Sequence, residues 1–98
     1  PVQVEILPIS EKFKDYTKNV ETQLIASNIR VSVDDSDESL GKRISEAEKQ
    51  KIPYMLIVGE KEEKSESVAI RGRDRKQEIM KLEEFIRKIE KEIKNKKS

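Results

Sequence analysis

Two side chains of opposite character suggest a recognition chemistry. Glu62 lies in the polar stretch that follows an apolar run, and Arg71 ends the next apolar run. A carboxylate accepts hydrogen bonds only, and a guanidinium is a planar donor fork, so the two side chains facing one sheet edge would offer one acceptor and one bidentate donor. Unpaired RNA bases are read through such contacts to their Watson–Crick and Hoogsteen edges. The bland alternative, a cross-strand ion pair worth up to about 1 kcal/mol, is favoured by spacing alone. A second candidate is Asp34 with Asp35, because a carboxylate pair at the end of a strand can hold magnesium. Acidic residues in such a turn more often cap the helix that follows.

Other chemistries are excluded by composition. The chain has no cysteine and no histidine, which removes disulfides, thiol nucleophiles, Ser-His catalysis and most zinc sites. Its glycines, at 41, 59 and 72, cannot form a phosphate-binding GxGxxG or Walker loop. The Asp34–Asp35 pair resembles the acidic pocket of a receiver domain. That pocket needs a further aspartate ending the central strand, where Gly59-Glu60 stands. With 98 residues the chain is expected to be one domain over 1–98. A net charge of +1 does not by itself announce a nucleic-acid binder. The charge is nevertheless segregated, with Asp34, Asp35, Asp37 and Glu38 in one patch and Arg71, Arg73, Arg75 and Lys76 in another. The sequence contains no signal peptide and no apolar run of membrane-spanning length, so no membrane partner and a cytoplasmic location are the expectation.

The elements that must position these residues are readable from periodicity. Tyr54 to Val58 is an uninterrupted apolar run between Pro53 and Gly59, as in a central strand buried on both faces. Val2 to Leu7 alternates as a first strand, and Phe13, Tyr16, Val20 and Leu24 then mark an amphipathic helix over 11–27, capped by Ser10. Asn28 suits the left-handed turn after it, before a second strand over 29–33. The right-handed crossover rule makes these strands parallel. Asp37 or Ser39 caps a helix over 40–50. Gly41 in its first turn costs up to about 1 kcal/mol relative to alanine, and close helix–sheet packing is the more frequent reason for such a glycine. A polar connection over 59–67 then leads to an antiparallel strand over 67–71. A weak fifth strand over 77–80 and a helix from Leu82 complete the chain. The predicted fold is α/β: a three-layer domain with a mixed five-stranded sheet flanked by helices.

Across nearly its whole length the chain resembles the C-terminal anticodon-binding domain of threonyl-tRNA synthetases, a class II synthetase family. The resemblance rests on Pro1-Val2-Gln3-Val4, Pro8-Ile9-Ser10, Ile29-Arg30-Val31, Asp34-Asp35 and Glu38 to Ile44. Its most specific parts are Lys51 to Met55 through Gly59-Glu60-Lys61-Glu62, and Val68 to Arg71. The resemblance implies the class II anticodon-binding fold and, as partner, the anticodon loop of threonine tRNA. It implies that Glu62 and Arg71 read the middle and third anticodon bases, with Asp37, Ser39 and Lys42 as further RNA-contact candidates. Arg73 is a candidate phosphate contact. No catalytic residue, metal or cofactor is expected here. ATP, magnesium and zinc would belong to a catalytic domain preceding Pro1, which would be a second partner. The chain departs from the family at Asp37 and Ser39, where asparagine and lysine are common, and at Lys81, where a serine usually caps the last helix. Two other readings remain open: an accessory domain that keeps the fold without reading RNA, and the corresponding domain of a glycyl, prolyl or histidyl synthetase.

Overall fold

The run Tyr54–Val58 forms β3 and occupies the middle of a five-stranded sheet. The structure, a computed structural model, describes residues 2–72 and 76–96. With β1 (Val4–Pro8), β2 (Val31–Val33), β4 (Ser67–Gly72) and β5 (Gln77–Lys81), the sheet order is β2-β1-β3-β4-β5. β1 pairs parallel with β2 and β3, whereas β4 runs antiparallel to both β3 and β5. This is the mixed sheet expected from the two crossover connections and the later hairpin.

Period-two alternation divides the apolar residues between two layers. Val4, Ile6, Leu56, Val58, Val68 and Ile70 face one side. There they meet Tyr16, Val20 and Leu24 of α1 (Lys14–Ala26) and Leu82, Phe85 and Ile89 of α4 (Leu82–Lys96). On the other side Leu7 and Met55 meet Ala47 of α2 (Leu40–Lys49) and Ile52, with Leu40, Ile44 and Ile57 packed around them. Two helices therefore cover one face and a single helix covers part of the other. No helix among the described residues is long and apolar enough to cross a membrane.

Several local expectations are corrected. The connection over 59–67 contains a short helix, α3 (Glu60–Ser65), ended by Glu66 in the left-handed region at φ 52°. The first helix begins as a 3-10 turn, Glu11–Phe13, whose N-cap Ser10 accepts from the Lys12 backbone N–H. β2 is only three residues long, because Asn28, at φ 63°, turns the chain and Ile29 drops into the core. β1 starts at Val4 and is buried along its whole length, its Glu5 carboxylate accepting from Ser32 Oγ at 2.5 Å. The packing reason expected for Gly41 is not found: among the described residues a Cβ there would meet nothing within 4 Å.

Candidate nucleic-acid interface

The incompletely covered face of the sheet carries Arg71. Its Cα partner across the β3–β4 ladder is Met55, and partners in a ladder share a face, so Arg71 lies on the α2 side. At the margin of α2 its Nε stands 3.8 Å from Glu48 Oε2, an ion-pair contact too long for a hydrogen bond. That Nε is buried without a hydrogen-bond partner among the described residues, while the side chain as a whole keeps 28% of its surface exposed. The α2 helix thus restrains the guanidinium without saturating its donors, and the exposed part remains available to an outside acceptor.

Glu62 is held differently. It is the third residue of α3, and its Oε1 accepts from the Gly59 N–H at 2.8 Å. Gly59 has no side chain to return the bond, so only one half of a capping box exists. The bond fixes the rotamer of Glu62, leaving Oε2 without a protein hydrogen bond among the described residues. A half-buried carboxylate with one oxygen anchored and the other open is a pre-oriented acceptor.

The expected juxtaposition of Glu62 with Arg71 is not formed. Arg71 stands opposite Met55, at the start of β3, whereas Glu62 follows the end of that strand. Four residues of strand, roughly 13 Å, separate the levels of Met55 and Gly59. The cause is the antiparallel pairing of β3 and β4: Ser67 begins β4 beside the end of β3, so the end of β4 lies away from the connection that holds Glu62. Arg71 then pairs with Glu48 of α2 instead of a cross-strand glutamate.

The remaining candidates surround the start of α2. Ser39 is the N-cap and accepts from the Lys42 N–H at 3.2 Å, which settles the choice between it and Asp37. Asp37 is exposed in the preceding loop. Lys42 pairs with Glu38 at 3.1 Å, a solvent-exposed contact that competes weakly with any other anion. Asp34 Oδ1 accepts from the Ser36 N–H at 3.0 Å, the structural use of an aspartate in a turn. Arg73 and Arg75 lie outside the described residues.

Sequence reasoning missed Arg43. It is 5% exposed, and its Nη1 donates to Pro8 O and Asp34 O, both at 2.8 Å. One guanidinium therefore ties the ends of β1 and β2 to the first turns of α2. The signal was available: Leu40, Arg43, Ile44 and Ala47 share the inward stripe of α2, so an arginine on that stripe must find buried acceptors.

Comparison with known proteins agrees with this architecture. A family profile described as "Anticodon binding domain" matches residues 3–92. The threonine–tRNA ligase of Clostridioides difficile is 52% identical over 100 residues, a match covering 100% of this chain and 16% of that protein. The chain thus spans about a sixth of the length of the curated relative. Among solved structures, the RNA-binding domain of threonyl-tRNA synthetase from Cryptosporidium parvum Iowa II superposes with TM-score 0.85 at 38% identity. That superposition covers 90% of this chain and 22% of the other. Histidyl-tRNA synthetase from a Nostoc species shares the fold, with TM-score 0.88 at 21% identity over 95% of this chain and 23% of its own. With the mixed sheet, its flanking helices and the family profile in agreement over almost every residue, the chain belongs to the anticodon-binding domain family, and its resemblance within that family is to the threonyl-tRNA synthetases.

Proposed function

We propose that this chain is the anticodon-reading module of a threonine–tRNA ligase and binds the anticodon loop of threonine tRNA. The observation that carries the reading is identity of 52% to such a ligase across the full length of the chain. The geometry supports it through two restrained polar groups, Arg71 with exposed guanidinium surface and Glu62 with an open Oε2, on the frame of β3, α3 and β4. Gly41 adds support. Among the described residues no atom lies within 4 Å of the position a Cβ would take, so an outside chain approaching the start of α2 closely would account for the glycine.

In this reading Arg71 donates to a base edge and Glu62 accepts from another base, while Lys42 and Arg73 meet phosphates and fix the register. Ser39 and Asp37 flank the same approach. Aminoacylation, with ATP, magnesium and zinc, is assigned to a separate catalytic domain of the ligase, and this module acts with it in the cytoplasm.

Titration of the 98-residue chain with an anticodon stem-loop at fixed salt tests the assignment. Binding should weaken when the middle anticodon base is changed, and its dependence on salt should reveal phosphate contacts. A folded chain that fails to bind at low salt, or binds both loops equally, overturns it.

A further inference from the structure

The junction of β5 and α4 grips the end of α3 with two consecutive residues. Lys81 Nζ donates to Ser65 O at 2.7 Å, and the Leu82 N–H donates to Glu66 O at 3.1 Å. Leu82 is buried in the core, and its N–H is one of the donors that the first turn of a helix leaves free. Lys81 ends β5 opposite Ser67, beside the chain that leaves α3. Helix α3 needs such a grip. It has six residues, none of them buried, and a helix of that length without a packed face is not stable alone. What fixes it lies at its ends. At the start Glu62 Oε1 accepts from the Gly59 N–H, and at the far end Ser65 Oγ stands 2.6 Å from Ser67 Oγ while Glu66 leaves the helix at φ 52°. Lys81 adds a cation on the terminal carbonyl, the charge that a helix C-terminus favours.

We propose that Lys81 is a positioning residue for Glu62: by holding the end of α3 it fixes the helix on which the open Oε2 is presented to RNA. The proposal rests on the RNA-binding reading above and adds a residue that does not itself touch a base. Glu62 and Ser65 lie within one helical turn of each other, so fraying at the end of α3 reaches the carboxylate directly. The Gly59 bond ties Glu62 to the start of its helix, whereas Lys81 ties the other end of that helix to the sheet edge and to α4. A phosphate contact is the competing use of an exposed lysine. Two observations oppose it. The ammonium is already engaged by Ser65 O, and the cleft that Lys81 lines also carries Glu66 and Glu83, whose carboxylates repel a phosphate.

The test uses Lys81→Met, which keeps the aliphatic stem, and Lys81→Arg, which keeps the charged donor, in the 98-residue chain. Because Lys81 is exposed, both variants should keep the wild-type unfolding midpoint within a few degrees. Amide exchange at Glu63 to Glu66 should quicken about threefold in Lys81→Met and stay at the wild-type rate in Lys81→Arg. The preference for the threonine anticodon stem-loop over loops altered at the middle or the third base should fall about threefold at one of those positions in Lys81→Met and return in Lys81→Arg. In a Glu62→Gln background Lys81→Met should change that preference no further, a result that a merely structural role does not produce. Wild-type preference in Lys81→Met overturns the proposal while leaving the RNA reading intact. An equal loss of affinity for all loops, with a smaller salt slope, makes Lys81 a phosphate contact and also overturns it. A wild-type chain that binds none of the loops overturns both.

Discussion

Gly41→Ala is expected to move stability and RNA affinity in opposite directions. The added Cβ meets nothing within 4 Å, and Gly41 is the second residue of α2, so the substitution costs no steric strain. Alanine lowers the backbone entropy of the unfolded chain and carries higher helix propensity, a gain of about 0.4–1 kcal/mol. For a domain of this size, that corresponds to an unfolding midpoint raised by roughly 2–8 °C, measurable by circular dichroism. If the glycine instead serves an RNA backbone passing over the first turn of α2, the same methyl group should weaken stem-loop binding about tenfold or more, about 1.4 kcal/mol. A stabilised variant with weakened binding is the expected pair of results. Lower stability would refute the open-space argument, and unchanged affinity would refute the close approach.

Two further substitutions probe the frame. Arg43→Met removes the donor shared by Pro8 O and Asp34 O, leaving one buried and one partly buried carbonyl without that partner. It should cost about 2–4 kcal/mol in chemical denaturation, and a loss under 0.5 kcal/mol would show that the ends of β1 and β2 hold α2 without it. Tyr16 donates to Ser67 O at 2.6 Å, and burial, with smaller contributions from Glu66, Glu62 and Glu63, pushes its phenol from 10.0 up to about 12. Since the folded value lies above the unfolded one, this stabilisation is full below about pH 10 and lost as pH rises towards 12. Tyr16→Phe should therefore be less stable at neutral pH by about 1 kcal/mol and converge on wild type between pH 10 and 12. Parallel stability curves for the two proteins would contradict that titration.

The sheet was legible because its strands are apolar runs or alternations bounded by proline, glycine and asparagine. The α1, α2 and α4 helices likewise declare their apolar stripes. Helix α3 did not, since Glu60–Ser65 contains no apolar residue from which a period could be read. Its only sequence signature is Gly59 with Glu62 at the third helical position and an acidic first turn. The misplacement of Glu62 relative to Arg71 has another source: antiparallel pairing sets the end of β4 beside the start of β3, so Arg71 lies away from the connection that holds Glu62 even though the strand directions were expected. Gly41 shows a different limit: the sequence poses the question of why a glycine stands there, and only the empty space around it separates internal packing from an external partner.

The distance between Glu62 and Arg71 changes what the pair can do. Side chains meeting at one edge could grip a single base, and their contributions to binding would then be strongly coupled. With Arg71 level with the start of β3 and Glu62 anchored to Gly59 past its end, they are instead expected to contact different bases, one at the margin of α2 and one at the start of α3. Sites farther apart than about 7–10 Å with no shared partner are additive to within about 0.5 kcal/mol. In a double-mutant cycle with Arg71→Ala and Glu62→Gln, Arg71→Ala should cost about 1–3 kcal/mol in stem-loop affinity. The double variant should equal the sum of the single losses. Glu62→Gln retains an oxygen able to accept from the Gly59 N–H, so its loss should appear in base discrimination with little change in stability. A coupling energy above about 1 kcal/mol would mean that both groups grip one base, and that the loop, or α3 itself, moves on binding to bring them together.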